Sequence, residues 1–333
     1  MRGRFVIAIL AWLVAVPTAT LSVPPPSLNV GPRERLVVVS PHPDDEALGA
    51  GGLIQRVRAR GGSVRVVLVT AGDGYVEAVV HEIGLPLPRP SEYVAYGKRR
   101  LSEANMALET LDPGARLEFL GFPDGGLDAL LRANWSRTHP ERSCTTGASD
   151  PPYAEAIEPD VPYDGTDLRR ELVRLLRDAN PTIVAFPDPL DKHPDHRATG
   201  LFTLLALADW SAQPTKSNAA PPRLLAYLVH WPDWPPGWNS KVPLFDANAV
   251  LALPRTLPPR KHAVTALRLS NAEIDVKRAA LARYATQQEE MAPLLAGFVR
   301  RTEPFTVFSN VQLEHVERLV ERHAATLSPS TKR

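Results

Sequence analysis

The stretch Leu36–Glu46, LVVVSPHPDDE, decides the fold class of this chain. It opens with a continuous valine-rich run, which is typical of a strand covered on both faces of a parallel sheet. Apolar residues then recur at helical spacing over 46–60, and a second valine-rich run follows at Val64–Thr70. A strand, a helix and a second buried strand make a β-α-β unit, so the sequence predicts a parallel sheet with a right-handed crossover.

The alternation of strands and helices continues along the chain. Helical patterns cover 93–111, 166–179 and 196–210, and apolar strand patterns cover 116–120, 182–186 and 224–230. A mixed β region to Leu269 and helical patterns over 271–288 and 310–327 follow. We therefore expect one α/β domain over 33–327, a Rossmann-like three-layer sandwich with a mostly parallel sheet and a mixed C-terminal extension.

One long segment, 121–165, interrupts this alternation. It has little periodicity and many Pro, Asp and Ser residues. Inside a compact domain such a stretch is usually either functional or disordered. We interpret it as an insert in the single domain.

The composition of the 333 residues is that of a globular protein with many stiffened loops, because 34 of them are proline. Lys plus Arg is 38 and Asp plus Glu is 37, which leaves a net charge of +1 and argues against a nucleic-acid binder. Cys144 is the only cysteine in the sequence. This excludes an intrachain disulfide and a cysteine-based zinc site.

The N-terminus has the parts of a secretory signal peptide. Arg2 and Arg4 precede an apolar run, Phe5–Val16, which is too short to span a bilayer comfortably, and a stretch of small residues and prolines follows. We predict a signal peptide over 1–22 and an exported protein, periplasmic or extracellular. The alternatives are an uncleaved segment that anchors the protein to the membrane and a buried helix.

Two loops carry the residues suited to chemistry. The first predicted strand is followed by His42-Pro-Asp-Asp45, and the fourth by His193-Pro-Asp-His196. Ligands of open α/β sheets bind at the carboxyl ends of the strands, so the two loops are expected to converge. Together they supply three histidines and three aspartates, which suit zinc or ferrous iron.

Each loop also has a purely structural interpretation. Acidic residues at a helix start favour the positive end of the helix dipole, and a lone His-Pro-Asp-His is a polar loop in most proteins. Two such loops at carboxyl ends of the same predicted sheet favour a functional site instead.

These motifs resemble those of the PIG-L/LmbE-like family of metal-dependent N-acetylglucosaminyl de-N-acetylases. The resemblance extends over 36–308, and weaker matches support it at Arg100-Leu-Ser-Glu103, at Phe119-Leu-Gly-Phe-Pro-Asp124 and around Lys277 and Tyr284. It implies a zinc-dependent enzyme that removes the acetyl group from an N-acetylglucosamine-type sugar or glycoconjugate. Fe²⁺ or another divalent metal is an alternative cofactor.

The resemblance also assigns roles to residues. It implies that His42, Asp45 and His196 hold the metal and that Asp44 is the general base. It implies further that His193, kept protonated by Asp195, stabilises the oxyanion. Glu46 is interpreted as a helix-start residue.

Substrate contacts are expected from Arg100 and Asp124, which match family positions that bind sugar hydroxyls or phosphate. For Arg100, the alternative is a surface charge paired with Glu103. Trp231, Trp234 and Trp238 could either stack on sugar rings or cover the sheet edge.

One position departs from the family pattern. Some family members have a catalytic Tyr two residues before the second His-Pro-Asp-His motif, where this chain has Asp191. The predicted signal peptide and the insert favour an exported N-acetylated sugar, polysaccharide or glycolipid as substrate. Two other functions stay open: an amidase acting on another N-acyl substrate at the same metal centre, and a glycan-binding protein without turnover.

Overall fold

The computed structural model describes residues 25–212, 220–239, 245–259 and 262–309, together with Arg318. The predicted signal peptide lies outside the described residues, as does the predicted helix over 310–327 apart from Arg318. None of the helices in the described ranges is both long and apolar enough to cross a bilayer.

Seven strands of the described residues form one sheet in the order β3-β2-β1-β4-β5-β7-β6. Their bounds are β1 Arg35–Ser40, β2 Ser63–Leu68, β3 Arg116–Phe119, β4 Ile183–Pro187, β5 Arg223–Tyr227, β6 Ala263–Arg268 and β7 Thr302–Phe308. The first five strands along the chain pair in parallel, while β7 pairs antiparallel with both β5 and β6. The mostly parallel sheet with a mixed C-terminal extension is therefore confirmed.

Helices cover both faces of the sheet. The helices of the described residues are α1 Asp45–Ala59, α2 Val76–Ile83, α3 Pro90–Leu111, α4 Leu127–Arg132, α5 Gly165–Ala179, α6 Pro194–Ala212, α7 Asn271–Leu281 and α8 Ala285–Gly297. Side chains alternate along β1, so that Val38 packs into the layer of α1, α3, α7 and α8, and Val39 into the layer of α4, α5 and α6. This alternation gives the predicted three layers.

The sequence prediction of one helix over 271–288 is wrong. The chain leaves the helical path after Leu281, and α8 starts afresh after Tyr284. The buried carboxylate of Glu103 on α3 accepts hydrogen bonds from the backbone N–H and the hydroxyl of Thr286, at 3.0 and 2.6 Å. This contact stabilises a new helix start, because the first N–H groups of a helix have no partner within it.

The insert over 121–165 is packed against the domain. It contains the short helix α4, and its tyrosines Tyr153 and Tyr163 are buried. The Tyr163 hydroxyl donates a hydrogen bond to the carbonyl oxygen of Gly121 at 2.9 Å. Of the two interpretations of this segment, disorder is therefore excluded.

The sheet order places the two predicted loops side by side. The chain runs from β1 outward through β2 to β3, and then returns to add β4 on the other side of β1. Leu36 of β1 pairs with Ile183 of β4, so the two strands end at the same edge. Their carboxyl ends form a topological switch point, the usual ligand position in open α/β sheets.

Candidate metal centre and active-site cleft

The loop between β1 and α1 brings His42 and Asp45 together. Asp45 is the first residue of α1 and is buried. Its Oδ2 atom accepts the backbone N–H of His42 at 3.1 Å and lies 3.0 Å from the Nδ1 atom of the same residue. The carboxylate and the imidazole are thus fixed on one side of the cleft.

His196 reaches the same oxygen from the start of α6. Its Nε2 atom lies 3.0 Å from Asp45 Oδ2, and the side chain is fully buried. Among the described residues, neither ring nitrogen of His196 has a partner in hydrogen-bond geometry. Two imidazole nitrogens therefore converge on one carboxylate oxygen. Tetrahedral ligands about 2.0–2.1 Å from zinc are about 3.3 Å apart, so each of the two 3.0 Å separations from Asp45 Oδ2 is compatible with a shared divalent cation.

The opposite nitrogen of each imidazole faces a carboxylate. His42 Nε2 lies 3.1 Å from Asp124 Oδ1 and 3.4 Å from Asp195 Oδ2, and His196 Nδ1 lies 3.4 Å from Asp191 Oδ2. Histidines that bind metals almost always present their second nitrogen to such a partner, which fixes the ring. The structure thus brings the predicted metal ligands together and adds the outer carboxylates that such ligands use.

Two further imidazoles border this point. The ring centroid of His193 lies 4.9 Å from that of His42 and 5.2 Å from that of His196. His230, which follows β5, has its ring centroid 4.6 Å from that of His196. Ligand atoms of Asp45, His196 and His230 lie within 4.8 Å of one another. Ligand atoms of His42, His193 and His196 also lie within 4.8 Å of one another, so His193 and His230 are both further candidate donors. The sequence signalled His230 only by its place at the end of a predicted strand.

The carboxylate oxygen Oδ2 of Asp44 accepts a hydrogen bond from Arg100 Nη2 at 3.2 Å. Burial raises the pKa of Asp44 to about 8, and the neighbouring Asp45 adds to this, while Arg100 and His42 act in the opposite direction. A carboxyl group with a pKa near neutrality can both take up and release a proton, as general acid–base catalysis requires.

The expected pairing of Asp195 with His193 is wrong. The Asp195 carboxylate accepts the backbone N–H groups of Gly125 at 2.6 Å and Leu127 at 3.1 Å, and it faces His42. These three contacts point it away from His193, and only the backbone N–H of Asp195 reaches that imidazole, at Nδ1 and 3.3 Å.

His193 is accordingly held neutral. Burial lowers the pKa of its imidazole to about 2, and the neighbouring imidazoles of His42, His196 and His230 contribute in the same direction. Because Nδ1 accepts the Asp195 N–H, the proton of the neutral ring lies on Nε2. The ring can therefore act as a neutral N–H donor.

Arg100 is buried, so the interpretation of this residue as a surface charge paired with Glu103 is wrong. Its guanidinium donates to the carbonyl oxygens of Gly72 at 2.8 Å and Pro43 at 2.7 Å, in addition to Asp44. It thereby braces the loop that carries the predicted base while one side borders the cleft.

Asp124 borders the cleft as well, but its two oxygens already have protein partners. Oδ1 lies beside His42, and Oδ2 accepts the backbone N–H of Gly74 at 2.5 Å. Although burial opposes ionisation, His42 lowers the pKa of this carboxyl well below its usual range. The structure thus gives Asp124 a role in orienting His42 that sequence reasoning missed.

Asp191 was missed too. Its Oδ2 atom accepts the backbone N–H groups of Val229 and His230 at 2.9 and 3.0 Å and faces His196, while Oδ1 accepts the N–H of His193 at 2.9 Å. One buried carboxylate therefore organises the β5 end and the second motif. Its place two residues before that motif was the only sequence signal.

Trp231 and Trp234 are buried and cover the sheet edge. Trp231 Nε1 donates to Thr256 Oγ1 at 2.7 Å, and Trp234 Nε1 donates to the Ala252 carbonyl at 2.8 Å. Rings held in this way do not offer a face to a sugar, so the structure favours the covering role for these two.

Six of the predicted site residues, His42, Asp44, Asp45, Arg100, Asp124 and His193, line a cleft of about 380 Å³, within the usual range for small-ligand sites, while Asp195 and His196 are buried and do not line it. Its lining contains both polar and apolar residues. The charged residues and histidines are Asp44, Asp45, Arg100, Asp124, His42, His193 and His230. The apolar and aromatic residues are Leu48, Tyr75, Met291 and Leu294.

The comparisons with known proteins point to one family. The family described as PIG-L: GlcNAc-PI de-N-acetylase matches residues 37–207. The 1D-myo-inositol 2-acetamido-2-deoxy-alpha-D-glucopyranoside deacetylase of Nocardia farcinica (strain IFM 10152) is 32% identical over 163 residues, 48% of this chain and 47% of that protein. The diacetylchitobiose deacetylase of Thermococcus kodakarensis is 27% identical over 183 residues, 53% of this chain and 49% of that protein. The chain thus matches these two curated relatives over about half of their length.

Among solved structures, the A40926 pseudoaglycone deacetylase Dbv21 has a TM-score of 0.51 and 21% identity, covering 84% of this chain and 99% of that one. This similarity concerns the fold. The family match covers more than half of the present chain and includes both His-Pro-Asp motifs. The chain therefore belongs to the PIG-L family of GlcNAc-PI de-N-acetylases.

Proposed function

We propose that this protein is a metal-dependent hydrolase that removes the acetyl group from an N-acetylglucosamine-type sugar or glycoconjugate. One observation carries the proposal. A single oxygen of Asp45 lies 3.0 Å from a nitrogen of His42 and 3.0 Å from a nitrogen of His196, next to the buried carboxylate of Asp44. Family membership and the names of the two relatives support this choice of reaction.

His42, Asp45 and His196 would hold the divalent ion, with zinc as the first candidate and Fe²⁺ as the alternative. Three protein ligands leave a coordination position free, as in catalytic zinc sites. When bound, such an ion supplies Lewis-acid polarisation of the amide carbonyl and lowers the pKa of water.

Asp44 is the proton carrier in this proposal. It accepts a proton from the water that attacks the acetamide carbon, and it later donates that proton to the departing amine as the C–N bond breaks. The products are acetate and the free amino sugar. Arg100 keeps the Asp44 carboxylate in place through the 3.2 Å hydrogen bond.

His193 donates to the oxygen that gains negative charge. Because its Nδ1 atom accepts the Asp195 N–H, the proton of the neutral ring lies on Nε2, where it can be donated. A neutral donor aimed at a developing oxyanion is an effective catalytic group. His230 also lines the cleft, and its ring centroid lies 5.1 Å from that of His193. Asp195 contributes by holding His42 and the 125–127 backbone.

Arg100 and Asp124 border the cleft beside the proposed reacting atoms, where the hydroxyl groups of a sugar would lie. Arg100 lines the cleft, and the positive charge of its guanidinium would favour a sugar oxygen or a phosphate placed beside it. The substrate class is therefore an N-acetylated sugar or glycoconjugate with its acetamide at the metal.

An amidase acting on another N-acyl group is the second candidate. The apolar residues of the cleft lining, which include Met291 and Leu294, favour it, because these side chains could contact a longer acyl group. A glycan-binding protein without turnover is disfavoured, since binding alone does not need Asp44 beside the metal ligands.

We propose export as well, on the basis of Arg2, Arg4 and the run Phe5–Val16. Contact with the membrane would then occur only through this N-terminal segment. Cell fractionation with N-terminal sequencing tests this. A cytosolic protein with an intact N-terminus would contradict it.

Acetate release is the decisive experiment for the reaction. The full chain, loaded with Zn²⁺ or Fe²⁺, is incubated with a panel of N-acetyl sugars and matched N-acyl amides of increasing chain length. We expect acetate from N-acetylglucosamine-type substrates, its loss after chelation and its return on adding metal. Faster release of longer acyl groups would favour the amidase, and binding without any hydrolysis would favour the glycan binder.

A further inference from the structure

The backbone of Asp44 has a conformation that an ordinary residue rarely adopts. Its φ is 119° and its ψ is −32°, in the left-handed region that favours glycine. A non-glycine residue remains there only when its surroundings fix it, and such residues concentrate at functional sites. Neighbouring residues must therefore fix the peptide of Asp44 in this conformation.

Glu46 holds it from one side. Its Oε2 atom accepts the backbone N–H of Asp44 at 3.2 Å and lies 3.4 Å from the Ser40 hydroxyl. From the other side, Arg100 Nη2 donates to the carbonyl oxygen of Pro43 at 2.7 Å. The peptide that carries Asp44 is thus fixed at both ends by buried side chains.

A tyrosine sets the direction of the Glu46 carboxylate. The other oxygen, Oε1, accepts a hydrogen bond from the hydroxyl of Tyr284. Both residues are buried, with Glu46 1% and Tyr284 0% exposed. A carboxylate held at both oxygens cannot rotate, so the Tyr284 hydroxyl fixes the oxygen that binds the Asp44 peptide.

Tyr284 lies directly before an element that lines the cleft. It precedes α8, whose residues Gln287, Met291 and Leu294 are part of the cleft lining. The contact between Tyr284 and Glu46 therefore joins the start of this element to the peptide that carries the base.

We propose that Tyr284 is a positioning residue for the reaction, which acts through Glu46 to hold the Asp44 carboxylate in its working orientation. This rests on the proposed function, in which Asp44 carries the proton. Tyr284 does not touch the reacting atoms, and Glu46 is more than the helix-start residue that its position in the sequence indicates.

Tyr284→Phe tests the proposal, because it removes the hydroxyl and keeps the ring. We expect kcat to fall about 10- to 100-fold with KM within about twofold, the cost of a misplaced catalytic group. Bound metal should be unchanged. Tyr163→Phe is the matched control, since Tyr163 is also a buried tyrosine that donates to a single acceptor, the Gly121 carbonyl, in the insert.

A double-mutant cycle tests whether Tyr284 acts through Glu46. Glu46→Gln should lower kcat to a similar extent, and adding Tyr284→Phe to it should have little further effect, because both changes break one chain of contacts. Additive losses in kcat would mean that Tyr284 does not act through Glu46, and would overturn the proposal.

Hydrogen exchange gives a readout that does not need turnover. The Asp44 amide should exchange about 10-fold faster in Tyr284→Phe than in the wild type, since its acceptor is no longer fixed. It should be unchanged in Tyr163→Phe. If wild-type protein releases no acetate, the proposed function fails while this measurement still tests the link. Equal exchange in both variants would refute it.

Discussion

Asp44 and Asp45 are neighbours in sequence with opposite ionisation behaviour. Burial disfavours the charged form of both. His196 and His42 overcome this for Asp45 and lower its pKa well below the usual range, whereas the pKa of Asp44 is raised to about 8. Adjacent carboxyl groups whose environments separate their pKa values commonly have different roles in catalysis. Here one suits permanent contact with a cation, and the other suits proton transfer.

Replacing Asp44 by Asn separates these roles. Asp44→Asn should retain the metal and lower kcat by about 10²–10⁴, the usual contribution of a positioned acid–base group. Steady-state kinetics together with elemental analysis provide the check. Loss of metal along with turnover would make Asp44 a ligand.

The outer carboxylates give a second prediction at the residue scale. Because Asp195 faces His42, Asp195→Asn should weaken metal affinity about 10- to 100-fold, the usual effect of altering such a partner. A competition titration with a metal chelator measures it. Asp209→Asn, on the same helix but in an ion pair with Arg169, serves as control. Unchanged affinity would instead argue that Asp195 does not support the ligand.

Among the elements, the insert is joined to the sheet edge by a buried polar contact. The hydroxyl of Tyr153 donates to the carboxyl group of Asp73, in the loop after β2. Burial raises the pKa of Asp73 to about 7, with repulsion from Asp124 adding to it, although the Tyr153 hydrogen bond acts in the opposite direction. The insert is therefore held by the carboxyl group of Asp73, whose protonated form is favoured in the folded protein.

This contact makes stability depend on pH. An unfolded Asp titrates near 3.9, so between pH 4 and 7 the folded state keeps a proton that the unfolded chain has lost, and stability decreases as pH rises. Asp73→Asn removes this dependence. We expect the stability of the variant relative to wild type to increase by up to about 2–3 kcal/mol from pH 5 to pH 7. Urea unfolding at both pH values measures the difference, and a difference that stays constant contradicts the assignment.

The elements also show which parts of the fold the sequence predicts. The apolar runs in β1, β2 and β4 predict these strands directly. The ends of β1 and β4 then locate the loops that follow them. Helix α2 and strand β7 were not predicted, because α2 is short and β7 contains Pro304 and polar residues that are buried only by its neighbours. Their structure depends on tertiary packing.

The candidate site also has features that the sequence predicts and features that depend on tertiary packing. The convergence of the two His-Pro-Asp motifs could be predicted, since both lie at carboxyl ends of neighbouring strands, and the choice of His42, Asp45 and His196 among their residues came from the family resemblance. The partners of Asp191 and Asp195 could not, because they include backbone N–H groups of Val229 and Gly125, which are distant in sequence. A hydrogen bond to the backbone leaves no mark on the identity of the residue that donates it.

At the scale of the whole molecule, the cleft is built from both ends of the described chain. Residues of the loops after β1 and β4 line it, and so do residues of α8, the last helix before β7. The parallel part of the fold and the C-terminal extension thus both contribute to the cleft, and residues 37–207 alone, which end before α8, do not contain its whole lining.

The donors that converge on Asp45 belong to two loops about 150 residues apart in the chain. A cation shared between them acts as a reversible cross-link, whose strength depends on the concentration of free metal. Binding to the folded state alone adds RT ln(1 + [L]/Kd) to stability, about 2.7 kcal/mol at 100 times Kd. We expect the melting temperature to rise with added metal and to fall on chelation, as calorimetry would show, and His196→Ala should abolish this response. The lifetime of the folded protein would thus depend on how much free metal its surroundings contain.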